Sequence, residues 1–300
     1  MTEWILAVEG TDVGRQIAMI LAVMAAALHA GFAAMQKGRV NPWVMRGAMD
    51  LSYGLIALPV AVFVVPWPSA HLWLILVGAW AIHTLYKTFQ AMAYSRGAYT
   101  VVYPVVRGSG PLFTVIGSYL LFGEVFTIGQ WLGLGVLLCG IFGLAVYNLC
   151  TVTVERDTLN MALALALCTG LCVALYTTYD AYGIRLAADP FTFLAWFFVV
   201  DSWTMPIISG IYAKRQGIAL KAQGLWWRGP VGGLVAIASF GSILIAMRLG
   251  KVGEAAILRE TSTVFAALIG WLFLKETVGP RRVALMALIA LGAVIVEFTG

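Results

Sequence analysis

Charge is what this sequence has least of. Its 300 residues include 19 Lys or Arg and 14 Asp or Glu, a charged share of 11% where a soluble domain carries about 25%. So few charged side chains cannot solvate a domain surface, and a composition 61% hydrophobic with mean hydropathy +0.91 excludes a soluble protein. A bilayer makes the reverse demand, because the lipid-facing wall of a helix needs almost no charge and its backbone is satisfied internally. Histidine and cysteine are scarce too. His29, His71 and His83 are far apart, with no short ligand spacing, so no metal site is expected. Cys139, Cys168 and Cys172 lie within apolar runs and Cys150 beside one, which suits small apolar packing rather than a disulfide framework. There is no Gly-x-x-x-x-Gly-Lys-Ser/Thr loop and no linker long enough for a nucleotide domain, so ATP-driven pumping from within this chain is excluded. Glu3, Glu9 and Asp12 precede the first base, Arg15, the wrong charge for a secretory signal, so the first apolar run is expected to remain as a helix. The net charge of +5 is spread over short loops and not clustered, which points to membrane topology and away from nucleic acid.

What is present is hydrophobic length. A span takes about 20 residues, and turn or interface chemistry recurs at Asn41-Pro42-Trp43, Pro66-Trp67-Pro68, Arg96-Gly97, Gly123-Glu124, Asp189-Pro190, Lys214 to Gly217, Gly250-Lys251 and Gly279-Pro280. These breaks predict helices near 15–36, 44–65, 70–93, 98–121, 127–147, 158–184, 190–212, 226–248, 253–274 and 279–298. The expected fold is an all-α membrane protein of ten transmembrane helices.

An internal repeat sets the architecture. The stretch beginning Gly97 and the one beginning Gly250 match after a one-residue shift, so that Arg107 falls on Arg259, Phe113 on Phe265, Glu124 on Glu276 and Gly140 on Gly292. The chain therefore divides into five-helix repeats over residues 1–150 and 151–300. Because five is odd, the second copy enters the membrane from the opposite side, an inverted-topology repeat of the type transporters use. Charge agrees with the inversion: linkers 2–3 and 4–5 hold no Lys or Arg, whereas linkers 7–8 and 9–10 with their flanks hold Lys214, Arg215, Lys221, Arg228, Lys275, Arg281 and Arg282. Over all loops and flanks, 12 bases fall on one side and 4 on the side bearing both termini. The positive-inside rule then places the protein as a multi-pass chain of the cell inner membrane with both termini non-cytoplasmic.

Ionisable residues inside spans are functional candidates by default, since a charge near mid-bilayer costs about 2.5–3.5 kcal/mol on insertion scales. Arg107 and Arg259 lead. Each lies nine or ten residues past the glycine opening its helix, about 14 Å in at 1.5 Å per residue. Two repeat-related guanidinium forks suit an oxyanion such as a carboxylate or phosphonate; the alternative is neutralisation of Arg259 by Glu260 or Asp180, and of Arg107 by another acid. Tyr103 and Pro111 share the Arg107 face, and Gly108 and Gly110 beside Pro111 predict a kink or a loosened, gate-like stretch. Tyr176, Asp180 and Gly183 follow i, i+4, i+7 spacing; Asp180 is a candidate proton or ammonium site, or else a partner of Arg185. Asp201 has the same two readings, and Asp50 is expected to pair with Arg46 one turn earlier. His29 and His83 sit mid-span. His83 shares a face with Lys87, as Tyr86 does with Gln90, and His83 is a second candidate for proton coupling. Gly129-xxx-Gly133 and Gly229-xxx-Gly233 permit close helix packing.

With the twofold five-helix organisation and a Gly-Glu or Lys-Glu turn before each Gly-rich last helix, the chain resembles the EamA-type branch of the drug/metabolite transporter superfamily over its whole length. Within that branch, Leu28-His29-Ala30 with Lys37, His83-x-x-Tyr86, Val102-Tyr103-Pro104 with Arg107-Gly108 and Pro111, Tyr176-Thr177-x-x-Asp180-x-x-Gly183-x-Arg185, and Leu258-Arg259-Glu260-Thr261-Ser262 resemble a clade associated with phosphonate utilisation. Phe32-Ala33 stands where that clade usually has Trp-Asn, and Ala181 where it usually has Gly. The resemblance implies alternating access by rocking helix groups, with helices 3, 4, 8 and 9 lining a central cavity, helices 1, 2, 6 and 7 closing it, and helices 5 and 10 as scaffold. The expectation is a secondary transporter, not an enzyme, that needs no cofactor. Its substrate would be a small polar metabolite with an anionic group, of amino acid or aminophosphonate type, whose oxyanion meets Arg107 and Arg259 and whose ammonium meets Asp180 or Glu260. Tyr103, Tyr176, His83, Tyr86, Lys87 and His29 complete the candidate substrate-binding set. An exporter of aromatic or cationic compounds is the alternative within transport; a non-transporting membrane sensor or enzyme is the alternative outside it. Its partners would be the bilayer, a small-molecule substrate and a coupling proton, with monomer and homodimer both open.

Overall fold

The computed structural model describes residues 2–36, 41–96, 99–151, 156–219, 224–272 and 279–300. Among them all regular structure is helical: α1 Thr2–Val8, α2 Asp12–Gln36, α3 Pro42–Phe63, α4 Ala70–Arg96, α5 Tyr99–Phe122, α6 Ile128–Thr151, α7 Arg156–Leu186, α8 Pro190–Asp201, α9 Thr204–Arg215, α10 Leu225–Leu249, α11 Val252–Arg259, α12 Ser262–Leu272 and α13 Pro280–Phe298. Among the described residues, eight segments are long and apolar enough to cross a membrane: Asp12–Phe32, Trp43–Phe63, Ala70–Ala93, Val105–Phe122, Ile128–Tyr147, Asn160–Leu186, Pro190–Arg215 and Leu225–Leu249.

Local chemistry sets the boundaries. Asn41 caps α3, its Oδ1 accepting from the backbone N–H groups of Trp43 (3.0 Å) and Val44 (3.4 Å), and Pro42 fills the first helical position, where no N–H is required. Asp189 and Pro190 do the same for α8, with Phe191 N donating to Asp189 Oδ1 at 3.0 Å. Two expected continuous helices are broken. The 190–212 helix divides at Ser202-Trp203, because Pro206 has no N–H to give and its ring crowds the carbonyl four residues earlier. The 253–274 helix divides at Glu260-Thr261. α1 lies ahead of the ten expected helices; it precedes the first apolar run and buries Ile5.

The helices group into two compact units, Met1–Ala81 with Asp180–Leu249, and Ile82–Tyr179 with Gly250–Gly300. In the first, α10 lies against α2 and α3, and α3 also against α8 and α9. The Gly229-xxx-Gly233 face makes this approach: a Cβ on Gly233 would stand 2.8 Å from Tyr53 N, and one on Gly229 2.9 Å from Ser52 Oγ. Phe32, Met45 and Met49 form a buried cluster there. Arg46 pairs with buried Asp50 at 2.7 Å, as the i, i+4 spacing requires, and Tyr53 donates to Asp201 Oδ2 at 2.6 Å. Two arginines close helix ends reciprocally. Arg185 of α7 donates to Met247 O of α10 at 2.9 Å. Arg248 of α10 donates to the carbonyls of Ile184 and Ala187 at the end of α7, satisfying carbonyls that the helix itself leaves over. Glu9 joins Arg248 at 3.2 Å and Thr2 donates to Asp189 Oδ1 at 2.8 Å, which ties α1 to these ends.

In the second unit, α6 lies along α13, and α5 contacts α6 and α11. Gly133 and Gly292 face each other: a Cβ on Gly292 would fall 2.5 Å from Leu137 N and 2.6 Å from Gly133 O. Such proximity is how helices associate in lipid, where dispersion contacts replace the hydrophobic drive. Val102, Val106, Ala162, Ala166 and Ala93 form a second buried cluster. Glu124 caps α11 with both oxygens, accepting from Val252 N at 3.0 Å and Gly253 N at 3.2 Å, so its negative charge meets a helix N-terminus.

Candidate functional site

The second unit gathers most of the candidate residues at the break between α11 and α12. The break has a backbone origin. Glu260 N and Thr261 N donate three residues back, to Ile257 O and Leu258 O, a 3₁₀ pattern that strands carbonyls of the last α11 turn. The hydroxyls of Thr261 and Thr263 add second bonds to carbonyls at the break that already accept from backbone N–H groups, Leu258 O at 2.7 Å and Glu260 O at 2.9 Å. Arg107 Nη2 reaches the next carbonyl at the break, Arg259 O, at 3.4 Å. A run of Thr261-Ser262-Thr263 is thus the sequence signal for the break, since hydroxyl side chains compete for backbone partners. The loosened stretch expected at Gly108–Pro111 is not there: α5 is helical throughout. Gly108 and Gly110 serve packing instead, a Cβ on them falling 2.9 Å from Phe142 and 3.1 Å from Val173.

Around this break two buried guanidiniums share one carboxylate. Arg107 Nε lies 2.8 Å from Glu260 Oε2, an ion pair lacking hydrogen-bond alignment at those two atoms. Its Nη2 also donates to Ser262 Oγ at 2.5 Å. Arg259 Nη2 donates to the Tyr176 hydroxyl at 3.0 Å, and its buried Nε has no hydrogen-bond partner. No carboxylate lies within ion-pairing distance of Arg259 among the described residues. Glu260 therefore serves Arg107 and not its own neighbour in sequence, and the cluster keeps one positive charge in excess.

Aromatic rings complete the surround. His83 and Tyr86 of α4 lie against Tyr176 of α7, with ring centroids 4.5 and 5.0 Å away, and Gln90 donates to Tyr86 Oη at 2.6 Å. Lys87, one turn beyond His83, is buried in the same unit. Tyr103 belongs to α5, but its side chain lies outside the described residues, as do Lys37 and Glu276. Asp180 and His29 belong to the first unit: Asp180 is fully buried and His29 stacks on Phe32 with centroids 6.3 Å apart. Ser262, as the second side-chain partner of Arg107, and Glu124, as the cap that starts α11, were not assigned roles from sequence. Both sit in hydroxyl or turn signals whose partners are distant in the chain.

Span-length apolar helices define the class: a multi-pass membrane protein, with buried charge gathered beside a broken helix. Residues 160–298 match the EamA-like transporter family, so the second half of the chain is similar to that family of membrane transporters. An uncharacterized protein of Sinorhizobium fredii, y4nH, is 41% identical over 46 residues, a stretch that spans 15% of this chain and 39% of that protein. A solved crystal structure 17% identical in sequence superposes with a TM-score of 0.71 over 94% of this chain and 99% of that one, which shows a shared fold.

Proposed function

We propose that the protein is a secondary transporter of ten spans, arranged as inverted repeats 1–150 and 151–300, that moves a small metabolite bearing an anionic group across the inner membrane by alternating access. Substrates of amino acid or aminophosphonate type fit this reading, in line with the resemblance to the phosphonate-associated clade. The observation that carries it is Arg259: a guanidinium buried at the α11–α12 break, held by a phenol and not by a carboxylate, is a standing positive charge that a substrate oxyanion can take up. Cationic substrates are disfavoured by the same geometry, because the acid nearest the break is already engaged by Arg107. The seven bases of linkers 7–8 and 9–10, against none in linkers 2–3 and 4–5, support the inverted topology.

The test compares ligand affinity with ligand-free stability for Arg259→Gln and Arg259→Lys in purified protein, using glycine, taurine and 2-aminoethylphosphonate as probes. Losing a charge-assisted hydrogen bond costs about 1.5–3 kcal/mol, roughly 10- to 150-fold in affinity. The Gln variant is expected to lose that much and the Lys variant less, with stability nearly kept. Unchanged affinity in a well-folded Arg259→Gln protein would remove the anionic assignment.

A further inference from the structure

We propose that Glu260 is a tethered competitor for the substrate anion, and that the anion gains Arg107 only when Glu260 takes up a proton, which couples one proton to each anion bound. The inference rests on the anion reading above and adds the coupling group.

Three observations on this unit converge. First, the two guanidiniums are not equivalent: Arg259 has a phenol partner and an unpartnered Nε, whereas Arg107 is covered by the Glu260 carboxylate at 2.8 Å. An entering oxyanion would meet Arg259 directly but must displace Glu260 from Arg107. Second, the Arg107 guanidinium already holds one carboxylate at 2.8 Å, so another oxyanion can take the same place on the same fork. Third, Glu260 sits at the helix break itself, where i−3 bonding and the Thr261 and Thr263 hydroxyls already satisfy the backbone. Its side chain can turn without unmaking a helical turn.

The charge balance then requires the proton. Displaced as a carboxylate, Glu260 would be a buried anion with its cation taken away, a state that burial strongly disfavours. Displaced as a neutral acid, it leaves Arg107 to the substrate and stays uncharged in a low-dielectric setting. The proton comes from water and ends on a Glu260 oxygen; the Glu260–Arg107 contact breaks, and the substrate–Arg107 contact forms. The groups facing Glu260 are Arg107 on α5 and Arg259 on α11, with Tyr176 on α7 behind Arg259 and His83 on α4 behind Tyr176. Lys87 and Arg96 are the remaining Lys or Arg residues of the α4 portion of this unit, α7 carries Arg156 and Asp157 at its start, α11 carries Glu254 in its first turn, α6 and α12 carry no charged residue, and α13 is charged only at Arg281, Arg282 and Glu297. Glu260 is the acid among these that touches a site cation.

Purified full-length protein in weakly buffered detergent solution, titrated with taurine and glycine, tests this. Both probes keep their acid ends ionised between about pH 5 and 8, so a change in affinity reports the protein. The parent should take up about one proton per bound probe, read with an indicator dye, and its Kd should fall about tenfold per unit decrease in pH. Glu260→Gln should bind without proton uptake, independently of pH, and at least as tightly as the parent at its acid limit. Should Glu260→Gln fail to fold, the double variant Arg107→Gln with Glu260→Gln removes both charges together; it should bind more weakly and take up no proton. Parent binding with a flat pH profile and no uptake, or uptake that persists in either variant, overturns the switch while leaving the anion reading in place. If neither the parent nor any folded variant binds either probe, the anion reading fails and the switch falls with it.

Discussion

Replacing Gly292 by alanine puts one methyl group between α6 and α13, and its cost can be worked out against a matched control. The added Cβ would lie 2.5 Å from Leu137 N and 2.6 Å from Gly133 O. Both are backbone atoms of α6, so no rotamer change relieves the overlap and the helices must separate. Gly135, also on α6, is exposed, and a Cβ there meets nothing within 4 Å. Alanine raises helix propensity by about 1 kcal/mol at either position, so that gain cancels in the comparison and the difference isolates the steric term. Overpacking costs about 1–3 kcal/mol, and the upper end applies where the obstacle is backbone on the facing helix. Gly292→Ala is therefore expected to be about 3 kcal/mol less stable than Gly135→Ala, on the order of a hundredfold in the ratio of folded to unfolded protein. Reversible unfolding in mixed detergent micelles, run on both variants under one condition, reads this difference. Equal unfolding midpoints would refute backbone contact between α6 and α13 at Gly292.

Three further outcomes follow from the same structure. A cysteine at Gln216, in a background with Cys150 replaced, should resist membrane-impermeant thiol labelling of intact cells while one at Glu3 reacts; the opposite pattern reverses the proposed orientation. Tyr176→Phe keeps the ring against His83 and Tyr86 but removes the hydrogen-bond partner that the Arg259 side chain has among the described residues, so ligand-free stability should fall by ~1–3 kcal/mol with taurine affinity retained; lost affinity at unchanged stability would make the phenol a substrate contact instead. Glu124→Ala strips the cap from α11 and should cost ~1 kcal/mol, with faster amide exchange at Val252 and Gly253; unaltered exchange at those two amides would show that the cap does not hold the helix.

Sequence by itself determined that this is a helical membrane protein, because composition decides which solvent a chain can face. It also determined where most helices start and stop, since Asn41-Pro42 and Asp189-Pro190 are local signals that act within one turn. The i, i+4 pair Arg46–Asp50 and the glycine faces of α6 and α10 were legible for the same reason: each depends only on spacing along one helix. The two helix breaks were legible only afterwards. Pro206 marks one, yet a proline does not always break a membrane helix, as Pro59 within continuous α3 shows. The other depends on Arg107, which lies 152 residues away and takes a stranded carbonyl. Pairing among the charged residues was decided by tertiary structure alone. Glu260 is adjacent to Arg259 in sequence, but consecutive residues on a helix point about 100° apart, and the structure directs the carboxylate to Arg107 and leaves Arg259 to Tyr176. Residue types announced that cations and acids were buried; only the packing of α5, α7 and α11 decided which cation keeps its charge uncompensated, because that depends on distances between helices that no spacing along a single helix encodes.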